Sequence, residues 1–293
     1  MKIHRRVYCL GALLLLCGIV HAQSAEENTT KAGFRLVWND EFNKDGLPDP
    51  NDWTYENGFV RNNELQWYQS DNAYCKNGML IIEARKEHGI KNPDYKQGSD
   101  EWRKSREYID YTSSCLITQG LQEWSAGGYY EVKARINTSS GSWPAIWLLG
   151  TEGEWPDNGE IDIMEFYRIN DKPHVLANAA WGTSRPYTPA WNSVKTPYAH
   201  FITKDPDWAS KFHVWAMDWT TDHVCIYLDG ELLNNINLNE TKNADGRNPF
   251  TDNQKFYFLL NLAVGSNGGT PDESAFPMKY EIDYVRVYKK VVN

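Results

Sequence analysis

Three carboxylates stand within six residues in the segment Asn158-Gly159-Glu160-Ile161-Asp162-Ile163-Met164-Glu165-Phe166. In an extended strand, residues two apart project to one face, so Glu160 and Asp162 point together and Glu165 falls out of phase by one. A β-bulge at Ile163-Met164 would absorb the extra residue and return Glu165 to that face. Carboxylates this close repel when partly buried, and at least one pKa must rise. A structural sheet has little use for such a row. An enzyme that needs one carboxylate ionised and one protonated at neutral pH does, and glycoside hydrolysis has that requirement. Glu160 and Glu165 lie about 13 Å apart along the strand if four steps of roughly 3.3 Å separate them. Two long side chains leaning together can close this to the ~5 Å of a retaining enzyme. The competing readings are a solvated acidic strand face and a calcium site, since hard cations take clustered carboxylates. Ile161 and Ile163 between the acids, and Phe166 after them, give the strand a face to bury, which argues against the solvated one.

Flat rings supply the second half of that chemistry. Gly141-Ser142-Trp143-Pro144-Ala145-Ile146-Trp147 precedes the acidic strand by about a dozen residues, and Trp143 and Trp147, four apart, share a strand face. Trp155, Trp181 and Trp191 fall in flanking turns or strand ends. Sugar rings present apolar C–H faces that an indole complements while also offering an N–H donor. Trp is highly buried on average, so roughly half of the thirteen are expected in the core, with a minority lining a cleft.

The elements that must hold these residues read as strands. Period-two and β-rich runs occur at Phe34–Trp38, Met79–Lys86, Tyr129–Ile136, Trp143–Leu149, Ile161–Phe166, Leu176–Trp181, His213–Trp219, Val224–Leu228, Lys255–Leu262 and Tyr280–Tyr288. Asp229-Gly230 is a two-residue hairpin signal between two of them. Glu87–Arg106 and Thr183–Thr203 read as long loops, and Asp205–Phe212 as one helical turn. Many strands without long helices imply an all-β sandwich or barrel, and no fixed-period repeat suggests a solenoid or propeller.

The chain has 293 residues, 41 % hydrophobic and 14 % aromatic, with a formal net charge of -9. That composition is too aromatic for a disordered chain. Its acidity argues against a nucleic-acid partner, and it lacks the repeated apolar runs of a polytopic membrane protein. Lys2, Arg5 and Arg6, then the apolar run Val7–Val20, then Val20-His21-Ala22, read as a secretory signal over residues 1–22, too short for a membrane span. Its removal would leave a charge of -12 and three cysteines, Cys75, Cys115 and Cys225, each read as a buried small hydrophobe. A polar leader over residues 23–32 and one domain over 33–289 are the simplest organisation, with a secreted or periplasmic location and a monomeric state. The seven histidines form no H-E-x-x-H spacing.

The acidic segment resembles the E-x-D-x-x-E signature, in its bulged form, of glycoside hydrolase family 16, laminarinase-like branch. The resemblance extends to Leu36-Val37-Trp38-Asn39-Asp40-Glu41-Phe42, to Arg61-Asn62-Asn63-Glu64-Leu65-Gln66-Trp67-Tyr68, to Gly141 through Trp147, and to Tyr280-Glu281-Ile282-Asp283-Tyr284-Val285-Arg286-Val287-Tyr288. It implies a concanavalin-like β-sandwich jelly roll of two antiparallel sheets with a concave substrate cleft. It implies endo-acting, retaining hydrolysis of an internal β-linkage in a polysaccharide or glycan, with no cofactor for catalysis. Glu160 would be the nucleophile and Glu165 the general acid/base. Asp162 would hydrogen-bond the nucleophile. Trp143 and Trp147 would be sugar platforms on the glycone side, with Asn62 as a polar contact. A structural calcium away from the cleft is implied too, with Asp283 as one ligand. In two places the chain departs from the pattern. Trp181 stands where relatives carry a histidine, and Gly265-Ser266-Asn267-Gly268-Gly269 replaces a Trp-containing motif.

Three activities are consistent with these residues. The first is an endo-β-1,3- or β-1,3/1,4-glucanase. The second is an endo-β-1,4-galactosidase on poly-N-acetyllactosamine of mucin O-glycans or keratan, for which Trp181, expected in the cleft, and Gln66-Trp67-Tyr68 speak. The third is a non-catalytic, lectin-like module, against which both glutamates speak.

Overall fold

A computed structural model describes residues Thr30–Val291. The proposed signal, and most of the leader, lie outside the described residues. The strands in chain order are β1 (Phe34–Asp40), β2 (Thr54–Tyr55), β3 (Gln66–Tyr68), β4 (Ala73–Cys75), β5 (Leu80–Lys91) and β6 (Tyr108–Ser113). Then follow β7 (Cys115–Ile117), β8 (Gly128–Arg135), β9 (Ser142–Gly150), β10 (Glu160–Ile169), β11 (Lys172–Gly182) and β12 (Pro189–Pro197). The last are β13 (His213–Trp219), β14 (His223–Leu228), β15 (Glu231–Asn237), β16 (Phe256–Val264) and β17 (Met278–Lys290). Two short helices, α1 (Trp102–Ser105) and α2 (Ala199–Lys204), interrupt them.

These strands form a sandwich. One sheet has the order β15-β14-β13-β8-β17-β5-β6-β3, with β1 beside β17 and β4 beside β5; the other has the order β12-β11-β10-β9-β16-β7-β2. Pairing is antiparallel except between β3 and β6. The facing surfaces make the core. Ile146 and Leu148 of β9, Ile161 and Ile163 of β10, Ala177 and Ala179 of β11, and Phe256 and Phe258 of β16 meet Tyr130, Val132, Trp215, Met217, Ile282 and Val285 of the opposite sheet. Eight of the thirteen Trp are buried, while Trp155 and Trp191 are exposed. Cys75, Cys115 and Cys225 are buried free thiols.

Asp229-Gly230 makes the anticipated hairpin between β14 and β15, with both residues at positive φ, as a tight turn with matching twist requires. The two long loops are a correction. The first continues β5 to Lys91 and contains α1; the second contains β12 and α2. In β12 half-buried and exposed residues alternate without an apolar face, so the sequence carries no hydrophobic period there. The helical turn is present as a short 3-10 segment at Trp208–Ser210. No helix among the described residues is long and apolar enough to cross a membrane.

Candidate active site

The site lies on the outer face of the seven-stranded sheet, centred on β10. The register of β10 slips against β9 between Asp162 and Met164 and against β11 between Asp162 and Glu165. This is the bulge. Ile163 and Met164 both enter the core, fully buried, and Glu165 turns back out beside Glu160 and Asp162. All three acids line one cleft, together with Asn62, Glu64, Trp143, Trp147, Trp155 and Trp191.

Each acid has distinct partners. Glu160 Oε2 accepts 2.8 Å from Trp155 Nε1. Asp162 Oδ2 accepts 3.0 Å from Asn178 Nδ2, and the same nitrogen donates 2.9 Å to Glu165 Oε2. Trp143 Nε1 donates 3.0 Å to Glu165 Oε1. Burial, and after it the charge of Glu160, raise the pKa of Glu165 to about 7 against the donors Trp143, Asp162 and Asn178 that favour its ionised form. Burial also raises Glu160, opposed by hydrogen bonds from Trp155 and Asp162 and by the Arg61 cation. Asp162 is raised well above the carboxylate range by burial, then by Glu160 and Glu165. Burial and the two neighbouring carboxylates thus favour the protonated form of Asp162, whose carboxyl hydrogen-bonds with that of Glu160. The three acids share too few charges to be ionised together. Double displacement requires one ionised and one protonated carboxylate, and a carboxyl raised to about 7, as in Glu165, can carry that proton at neutral pH.

The other residues picked from the sequence fall as follows. Asn62, at φ 54°, donates Nδ2 to Glu64 Oε1 at 3.2 Å at the cleft edge. Trp143 and Trp147 face the cleft but are largely covered, Trp147 with its Nε1 bound to Asn261 Oδ1 at 2.8 Å. Trp181 is a correction. Ala180 pairs with Glu160 and Asn178 with Asp162, so the even positions of β11 face the cleft. Trp181 takes the opposite face and packs against the core. Asp283 is another. Its Oδ2 lies 2.6 Å from Lys133 Nζ, an ion pair where a cation ligand was expected. No group of three or more His, Cys, Asp or Glu among the described residues is placed to hold a metal, and Asp283 is already paired with the Lys133 cation.

Asn178 and Glu64 are cleft residues not singled out for chemistry in the sequence, while Trp155 and Trp191 were named there only as rings in flanking turns or strand ends. Trp155 precedes the strand by five residues in a loop, and Asn178 and Trp191 are brought in only by strand pairing. The loop that carries Trp155 is pinned at its far end. Asn243 Oδ1 accepts 2.7 Å from Gly182 N and its Nδ2 donates 2.7 Å to Asp157 O. A Cβ on Gly182 would overlap the side chain of Asp157, which would have to turn aside to admit it.

Residues 61–286 match the model of glycosyl hydrolases family 16. The chain is 35 % identical to a beta-glucanase of Rhodothermus marinus, the match taking in 99 % of this chain and 96 % of that protein. A structure from work on endo-acting O-glycanases with which prominent members of the human gut microbiota initiate mucin breakdown superposes with a TM-score of 0.78 at 32 % identity, covering 89 % of this chain and 93 % of the other. The laminarinase of Rhodothermus marinus superposes with a TM-score of 0.68 at 37 % identity, covering 88 % and 98 %.

Proposed function

The chain belongs to glycosyl hydrolases family 16, and on that premise we propose that it is an endo-acting, retaining hydrolase of internal β-1,3 or mixed β-1,3/1,4 glucan linkages. The observation that carries this reading is the row Glu160, Asp162 and Glu165, brought onto one face by the β10 bulge inside a cleft. Ionised Glu160 attacks the anomeric carbon while protonated Glu165 gives its proton to the departing glycosidic oxygen. The glycosidic bond breaks and a glycosyl ester forms on Glu160. Glu165, now a base, takes a proton from water, whose oxygen attacks the anomeric carbon and releases Glu160. Asp162 donates to Glu160 when the carboxylate carries charge, and Trp155 fixes the attacking group's orientation. The two carboxylates supply all the proton and electron-pair movements, so the reaction needs no cofactor.

The beta-glucanase and laminarinase likenesses support a glucan substrate. The O-glycanase likeness, with the higher TM-score, favours a second reading, cleavage within mucin O-glycans, and a keratan-sulfate endo-1,4-beta-galactosidase among the relatives supports a β-1,4-galactosyl bond as the linkage. Residues 1–22 support export, and a cleft built within one chain supports a monomer. A panel of laminarin, barley mixed-linkage glucan, keratan and gastric mucin, with product analysis, separates the two substrates. NMR of the first product should show the β-anomer retained; inversion overturns double displacement. Glu160→Gln should lower kcat at least about a thousandfold with no loss of thermal stability.

A further inference from the structure

The cleft has two halves, one on each side of β10, and their rings differ in openness. On the β9 side Trp143 and Trp147 expose only 7 % and 8 % of their surface. Trp143 meets Tyr167 edge-on, with centroids 5.5 Å apart. The Arg61 guanidinium lies over Trp147, 5.0 Å from the ring centroid, and is held there by an ion pair with Glu56. Trp147 is also fixed from below. Asn261, which accepts its Nε1, donates 2.9 Å to Tyr68 Oη. A guanidinium on an indole is drawn by the ring quadrupole and covers the face that sugar C–H groups would use.

The β12 side is the reverse. Trp191 is 46 % exposed, has no ring neighbour or side-chain hydrogen bond among the described residues, and lines the same cleft as Glu160. It pairs with Ala180, which pairs with Glu160. The three therefore form one row across the sheet and project to one face. Trp191 stands two strand spacings, about 10 Å, from Glu160, with Ala180 on the strand between them. A single exposed ring needs no explanation by itself. This one is unpartnered, lies inside the cleft and is in line with the proposed nucleophile, while the rings of the opposite half are covered.

We propose that Trp191 is the platform on which a sugar ring of the substrate stacks, on the β12 side of Glu160, and that Arg61 withholds the Trp147 face on the other side. The inference rests on the hydrolase reading but not on which polymer is cleaved. The test uses whichever panel polymer the full chain hydrolyses, comparing wild type, Trp191→Ala, Trp191→Tyr and Arg61→Ala. For Trp191→Ala, KM should rise at least tenfold with kcat within threefold and an unchanged Tm; Trp191→Tyr, still a flat ring, should recover most of the loss. Arg61→Ala should leave KM equal or lower, because it uncovers a second ring. An unchanged KM in Trp191→Ala, or a rise in Arg61→Ala matching that in Trp191→Ala, overturns the proposal. If the cleaved polymer is a galactose-containing glycan, the glucan reading fails while this test proceeds unchanged. If none is cleaved, affinity electrophoresis through gels containing each polymer reads binding directly. Retardation of the wild type that is lost in Trp191→Ala supports the platform; equal migration of the two overturns it.

Discussion

Glu165 accepts an N–H on each carboxylate oxygen, and yet its pKa rises to about 7, so burial and the neighbouring Glu160 charge outweigh the donors. The sign of the consequence follows. Between the ordinary glutamate value, about 4.3, and 7, the folded state binds more protons at this site than the unfolded state. Stability therefore falls as pH rises through that window, and the cost is complete above it. Glu165→Gln should raise Tm at pH 8 by about 2–5 °C and change it little at pH 4, read by calorimetry at the two pH values. The wild-type pH–rate profile should lose activity on its basic side near pH 7, as the proton donor ionises. Trp155→Phe removes the N–H that favours ionised Glu160. Its pKa then rises, so the acid limb of kcat/KM should move to higher pH while kcat falls about tenfold. The three acids were legible because strand parity and one bulge place them. Trp181 was misread because the run Ala177–Trp181 is apolar or small at nearly every position, so only pairing with β10 tells its faces apart.

The bulge in β10 and the Gly182 corner are the elements that turn a sheet into a site. Inserting two core residues in a row re-aims Glu165 without moving β9 or β11, whose pairing resumes on either side of the slip. The Trp155 loop depends on the end of β11, where Gly182 lies against Asp157. Asn243→Ala, which removes both hydrogen bonds that pin the loop, should let it move away. Its expected signature is a lower kcat at similar substrate affinity, with Tm down by a few degrees, since Trp155 leaves Glu160 while the rest of the cleft stays. Most strands were legible from their alternation or their apolar runs. β12 was not. Prolines bound it at 189 and 197, and between them the exposed and half-buried sides are both polar enough to pass for loop. That misreading concealed the strand on which Trp191 stands.

At the scale of the whole molecule, two sheets bury one aromatic-rich core, which accounts for the high tryptophan content of a rather polar chain. The surface ion pair Lys133–Asp283 sits on β8 and β17 of the sheet remote from the cleft. Because a lysine already compensates Asp283, EDTA treatment should leave Tm within 1 °C by differential scanning fluorimetry, a threshold set at about the resolution of a sub-kcal/mol change. Adding calcium should likewise produce no shift. The seven-stranded sheet ends at β12, whose outer edge pairs with no strand among the described residues. A strand left open in this way can recruit a second chain by backbone pairing, the route to edge-to-edge aggregation. Here each end of the strand is a proline, which cannot donate to a ladder, and Lys195 places a charge between them. The edge is thus open to a glycan, which stacks on side chains, and closed to another polypeptide, which would have to pair with the backbone.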